Sequence, residues 1–194
     1  MLAERSSTAW LPAPPGGGSG YLLFAFLLYA QLGKKSGYDL WVLPEPTSSR
    51  DRKPIPFLET PFNETQGQFS PDGRWIAYSS DESSKREVYV QSFPAGSGKV
   101  QVSTGGGNRP HWRNDGKELY YMAPGGKLMT VEVKQGASLE VGVPKLLFET
   151  GLDNILAGYD VARSGDRFVM SVPAEGAATE PIRVILNWNL GLKK

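Results

Sequence analysis

The sequence predicts an all-β fold: an incomplete β-propeller of about four four-stranded antiparallel blades, the first and last partial. Three observations carry this. Gly and Pro supply 23 and 15 of the 194 residues, about a fifth of the chain where average usage is roughly 12%, which disfavours long helices and favours short strands between turns. A turn-and-strand phrase recurs: Phe69-Ser70-Pro71-Asp72-Gly73-Arg74-Trp75-Ile76-Ala77-Tyr78 matches Trp112-Arg113-Asn114-Asp115-Gly116-Lys117-Glu118-Leu119-Tyr120-Tyr121. A weaker third copy is Val161-Ala162-Arg163-Ser164-Gly165-Asp166-Arg167-Phe168-Val169-Met170. The phrase returns after 43 residues, Gly73 to Gly116, and after 49, Gly116 to Gly165. That is the spacing of strand-built propeller units.

Each copy is a tight turn between two strands. Asp72 or Asp115 can accept from backbone amides two residues on, and Gly73, Gly116 or Gly165 supplies the positive φ that an L-residue resists. Ser164 stands where the third copy lacks the Asp and can make the same bond more weakly. These five residues, Asp72, Gly73, Asp115, Gly116 and Gly165, are the expected structural turns.

The elements follow in chain order. Residues 1–20 contain Pro12, Pro14, Pro15 and Gly16 to Gly18, repeat with neither strand nor helix period, and are expected to be a flexible or non-native segment. Tyr21 to Ala30 is a run of ten apolar residues, short of the roughly 20 that span a bilayer. It reads as a buried strand or strand pair in preference to a signal-peptide core. Tyr38 to Leu43 aligns with Arg86 to Gln91, Lys53 to Glu59 resembles a closing strand, and Phe26 to Ala30 falls where Trp75 to Ser79 sits in the next unit. Further strands are expected at Trp75–Ser79, Glu87–Phe93, Lys99–Ser103, Lys117–Met122, Lys127–Lys134, Leu146–Glu149, Arg167–Val172 and Pro181–Trp188. The units run over about 21–60, 61–104, 105–150 and 151–194. Large residues on both faces, as in Leu119-Tyr120-Tyr121, suit strands covered by a neighbour on either side. Trp41, Trp75, Tyr78, Tyr89, Trp112, Tyr120, Tyr121 and Trp188 are accordingly expected between blades.

Several functions are excluded by composition. Twenty-one Lys and Arg against 20 Asp and Glu leave a net charge of +1, which argues against nucleic acid as a partner. With no cysteine and a single histidine, His111, thiol nucleophiles, Cys-based zinc sites and multi-histidine metal sites are absent. No metal or cofactor is expected: Asp72, Asp81, Glu82, Asp115, Asp160 and Asp166 lack the spacing of a calcium loop. Ser19 and Ser97 lack the Gly-x-Ser-x-Gly spacing of a nucleophile elbow, so no catalytic residue is assigned. Thr104-Gly105-Gly106-Gly107-Asn108-Arg109 is rich enough in glycine to cradle a phosphate, but no helix follows it, and a loop between blades is the expectation.

The phrases Gln68-Phe69-Ser70-Pro71-Asp72-Gly73-Arg74-Trp75-Ile76-Ala77-Tyr78-Ser79-Ser80 and Gly37-Tyr38-Asp39-Leu40-Trp41-Val42 resemble TolB-type, WD-like propeller repeats. From about Leu28 to Lys194 the chain resembles the C-terminal propeller of bacterial serine/threonine protein kinases, and Ile185-Leu186-Asn187-Trp188 is similar to the way those chains finish. The resemblance implies a kinase domain first, a membrane segment next and an extracytoplasmic propeller last. This chain carries no Gly-rich nucleotide loop with a catalytic Lys, no His-Arg-Asp and no Asp-Phe-Gly. The function expected is a non-catalytic binding or sensing module for a protein or small-molecule ligand; the alternatives are a TolB-like periplasmic scaffold and the non-catalytic propeller of a peptidase. Asn63, Arg109, His111 and Arg113 lie on connections near the starts of innermost strands and form the expected binding rim. Self-association through uncovered end blades is also expected, with Phe26 to Tyr29 and Ile182 to Trp188 left partly bare.

Overall fold

The computed structural model describes residues 8–12, 24–33, 37–44, 53–96, 98–136, 138–151 and 158–171. The first sheet contains β1 (Thr8–Pro12), β2 (Phe24–Leu32), β3 (Tyr38–Pro44) and β4 (Ile55–Leu58), paired in chain order. The second contains β5 (Thr65–Phe69), β6 (Trp75–Ser80), β7 (Glu87–Ser92) and β8 (Lys99–Gln101), again in order. A third sheet is built from β9 (Asn108–Trp112), β10 (Glu118–Ala123), β11 (Lys127–Gln135), β12 (Leu139–Val141) and β13 (Lys145–Glu149). The hairpin of β14 (Tyr159–Val161) and β15 (Phe168–Met170) follows. Every pairing is antiparallel, and among the described residues there is no helix. The chain is an incomplete β-propeller.

The turns that separate the first two strands of a sheet are local devices. Gly73 has φ 72°, Gly116 φ 70° and Gly165 φ 77°, a region that costs a Cβ-bearing residue energy. Asp72 accepts from the Arg74 N–H at 3.2 Å, and Asp115 from the Lys117 N–H at 3.0 Å. The third copy differs. The Ser164 hydroxyl donates to the Asp166 carboxylate, so the bond runs between side chains and not to a backbone amide.

Successive sheets stack face to face, each pair sharing an apolar cluster. Leu28, Leu40, Val42 and Phe57 of the first sheet meet Phe69, Ile76, Tyr78 and Tyr89 of the second. Trp75, Ala77, Val88 and Val90 on the other face of the second sheet meet Trp112, Leu119, Tyr121, Val131 and Val133. Tyr120, Met122 and Leu128 then meet Phe168 and Met170. This is why β6 is buried at all six positions: alternate side chains enter two different cores. Burial of apolar area at about 25 cal/mol per Å² makes these faces the main source of stability.

Two expectations need correction. Residues 1–20 include β1, which pairs Thr8 with Tyr29 and Leu11 with Phe26; the free edge of β2 offers a row of backbone donors and acceptors that this strand satisfies. The third sheet has five strands and not four, because β11 is nine residues long and pairs successively with β13 (Lys127 opposite Glu149) and β12 (Val133 opposite Val141). Phe26 to Tyr29 is partly covered and partly bare. Leu28 is fully buried and Phe26 packs in the same core, whereas Leu27 and Tyr29, opposite Leu43 and Trp41, occupy the other face and are half-buried. The expected strand Pro181–Trp188 lies outside the described residues.

Candidate binding site at the inner strands

The first strand of each unit is its inner strand. It pairs with only one neighbour in its own sheet, β5 with β6, β9 with β10 and β14 with β15. Its other side turns to the preceding unit: β5 lies against β1 and β2, and β9 against β5 and β6. Where β5, β9 and β14 converge is a cavity of about 150 Å³ lined by Gln66, Gly67, Gln68, Arg109, Pro110, His111 and Tyr159. The repeat explains the convergence. Gln66 and Arg109 occupy one position of successive units, and Gln68, His111 and Asp160 occupy another.

Backbone strain marks the first of these positions. Gln66 has φ 57° and Arg109 φ 53°, left-handed values for residues with a side chain, each worth roughly 1–3 kcal/mol and kept only where the surroundings over-determine them. Here they do. The Arg109 N–H donates to Gln66 Oε1 at 2.8 Å, the Ser79 hydroxyl donates to the same oxygen at 3.0 Å, and the Tyr159 hydroxyl donates to the Arg109 carbonyl at 2.8 Å. The flipped peptide thus stitches three units together around the cavity. Burial pushes the Tyr159 hydroxyl well above the usual phenol range, so it remains a donor.

His111 sits on the cavity wall with Nε2 2.9 Å from Asp160 Oδ1 and its ring 5.8 Å from that of Tyr159. With Nε2 turned to Asp160, Nδ1 is the ring's other polar atom. That atom is buried and has no hydrogen-bond partner among the described residues, the kind of group a bound polar ligand would satisfy.

The other two rim candidates go elsewhere. Arg113 is committed to the second turn: Nε and Nη2 each lie 2.8 Å from an Asp115 oxygen, and Nη1 lies 2.7 Å from Glu118 Oε1. That hydrogen bond from Arg113 is the main reason the Asp115 carboxyl falls to about 2, and the reciprocal bond holds the guanidinium above its ordinary value. These residues line a separate, open groove with Lys117, Glu132 and Lys134. Asn63 lines neither space. Its Oδ1 accepts from the Tyr38 N–H at 3.2 Å, while its own N–H and Nδ2 donate to Asp81 at 2.9 and 2.7 Å, so it joins the first sheet to the second.

The glycine-rich loop does cradle an anion, and the anion is internal. Glu87, 3% exposed, accepts from the Gly105 and Gly106 N–H groups at 2.8 and 2.7 Å and from the Ser103 hydroxyl. Gly105 and Gly106 have φ 93° and 111°, which turns successive N–H groups to one side as a nest. Sequence reasoning missed Glu87, and it missed Gln66, Gln68 and Tyr159 as cavity wall. Projecting Arg109 and His111 through the repeat would have found the glutamines; nothing local signals Glu87. Among the described residues no group of three or more His, Asp or Glu is placed to hold a metal ion, and no helix is long and apolar enough to cross a membrane.

Fold and cavity together define a propeller module. Comparison with solved structures finds likeness to a chain assigned as TolB from Agrobacterium tumefaciens, with TM-score 0.51 and 14% identity over 75% of this chain and 52% of that one. TolB from Acinetobacter baumannii is similar at TM-score 0.49 and 17% identity, over 86% of this chain and 40% of that one. The β-propeller domain of the Trilobed protease from Pyrococcus furiosus is similar at TM-score 0.47 and 16% identity, over 92% and 52%. At such identity the first likeness establishes the propeller fold alone. The chain spans about half the length of that TolB, at 52%. No family model matches the chain, and no curated protein sequence does.

Proposed function

We propose that this chain is a non-catalytic binding module of a larger protein, and that it takes its ligand at the inner-strand cavity. The observation that carries the reading is His111: oriented by Asp160, it lines a cavity whose walls are stitched by Gln66, Arg109 and Tyr159, and its buried Nδ1 has no partner among the described residues. The cavity is too small for a large cofactor and suits the tip of a peptide side chain or a small polar molecule. The parent expected from the ending Ile185 to Trp188 is a signalling kinase with an upstream catalytic domain and an extracytoplasmic propeller. A TolB-like envelope scaffold is the second reading, favoured by the fold likeness to a TolB chain.

The test is capture of a ligand by the purified chain from the extracytoplasmic fraction of its host. His111→Ala and Asp160→Ala should each lose the captured species, and Asp115→Asn, which alters a turn away from the cavity, should retain it. Equal capture by all three variants refutes the site. The upstream gene sequence separates kinase from scaffold.

A further inference from the structure

The junction between the first and second sheets holds a charge arrangement that the next junction does not. At the second-to-third junction one buried carboxylate, Glu87 at the start of β7, is met by the Ser103 hydroxyl and by the N–H groups of Gly105 and Gly106. At the first-to-second junction the same repeat positions are Asp39 at the start of β3, then Thr60, Phe62 and Asn63 in the loop before β5. Their donors are diverted. The Phe62 N–H goes to Thr60 Oγ1 at 3.1 Å, the Asn63 N–H to Asp81 at 2.9 Å, and the Thr60 hydroxyl to Glu64 Oε1 at 2.7 Å.

Glu64 itself is the second difference, because it stands where the next unit has Gly107. It is 1% exposed and Asp39 is 2% exposed, so two carboxyl groups are buried where the other junction buries one. Glu64 is held in place by its own N–H, which donates to the Tyr38 carbonyl at 2.6 Å. Both hydroxyl donors that reach its carboxyl, Thr60 at 2.7 Å and Ser80 at 3.2 Å, serve Oε1. Among the described residues Oε2 is buried with no hydrogen-bond partner. A bare carboxylate oxygen buried beside a second carboxyl is strongly unfavourable, and a proton on it removes the charge and supplies a donor.

We propose that Glu64 is a proton-binding site paired with Asp39, and that the proton latches the first sheet of the propeller onto the second. The groups facing Glu64 are Asp39 from β3, Tyr78 from β6, and Glu82 from the turn after β6, with Asp81 of that turn bound to Asn63. Among the described residues, two nearby cations are used otherwise: Arg86 donates to the Thr65 hydroxyl and acts on Asp81, and Lys99 pairs with Glu82. Burial is the main cause pushing the Glu64 carboxyl up, and Asp39 and Glu82 add to it. The grip of the first sheet is therefore full at acid pH and weakens as pH rises above glutamate's ordinary 4.5 and through the raised value of Glu64.

Urea unfolding of the full chain from pH 5 to pH 8, wild type against Glu64→Gln, tests this. Gln keeps the Oε1 acceptor and carries an N–H where the proton would be. Within the window the wild-type unfolding constant should rise relative to that of Glu64→Gln by up to about tenfold per pH unit, the limit for one linked proton. Hydrogen exchange should show the loosening at 38–43 and 60–64 and not in β9 to β11. Parallel pH profiles would overturn the proposal. So would calcium chloride raising the wild-type midpoint at pH 8 while leaving Glu64→Gln unmoved, since a cation would then fill the gap. If Glu64→Gln does not fold, infrared spectroscopy of the wild type decides: a protonated-carboxyl band that titrates away above glutamate's ordinary 4.5 supports the latch, and its absence refutes it.

Discussion

Replacing Glu87 by alanine removes one acceptor and strands three donors. The Ser103 hydroxyl is fully buried and already accepts from the Val88 N–H at 2.8 Å, so without Glu87 its proton has nowhere to go, at about 1–3 kcal/mol. The Gly105 and Gly106 N–H groups are nearer the surface, and water can replace the carboxylate there, leaving a net loss of about 0.5–1 kcal/mol for the two together. The expected sum is about 1.5–4 kcal/mol, a large part of a domain stability of about 5–15. With a urea m-value of about 2 kcal/mol per M, the midpoint falls by about 1–2 M. Glu87→Gln keeps a carbonyl for the glycines and should lose about half as much. Formate should rescue Glu87→Ala, because the emptied nest still presents two N–H groups to an anion, and chloride at equal ionic strength should not. A midpoint within about 0.3 M of wild type for Glu87→Ala, on that m-value, would refute the account of this loop as an internal anion cradle.

Gly73→Val and Gly116→Val should each destabilise by about 1–3 kcal/mol, because valine resists φ near 70°; unchanged midpoints for both would show the turns to be unstrained. Asp115 titrates at about 2 in the folded chain, so its contribution is present above the ordinary value near 3.9 and is lost as pH falls from there through about 2. The gap between wild type and Asp115→Asn should close over that acid window and stay constant from pH 5 to 8. The outward face of the first sheet, with Leu27 opposite Leu43 and Tyr29 opposite Trp41, should drive concentration-dependent association. Sedimentation velocity of wild type against Trp41→Lys measures it, and a wild-type monomer at all concentrations would refute it. The purified chain should turn over no kinase, peptidase or esterase substrate; a rate abolished by one substitution in this chain would overturn that.

The sequence by itself determined the period, the turns and most strands, because these are local physics. Asp-Gly sets a turn within four residues, and apolar and β-branched runs such as Trp75 to Ser80 mark strands whatever lies beyond them. Even the burial of β6 on both faces was legible, since Trp75, Ile76 and Tyr78 leave no polar side. Tertiary structure decided what fills the loops and which residues meet. Glu87 enters a nest 18 residues downstream, and the Tyr159 hydroxyl reaches the Arg109 carbonyl across 50 positions. Asn63 and Arg113 share the loop chemistry of Arg109 and His111, yet one ties two sheets and the other closes its own turn. The two strands on β11 depend on the length of that strand relative to its partners, and β1 on an edge left open by β2. A buried polar group takes whichever partner the packed sheets bring within hydrogen-bond reach, and that distance is set by the stacking of whole units, to which no short stretch of sequence has access.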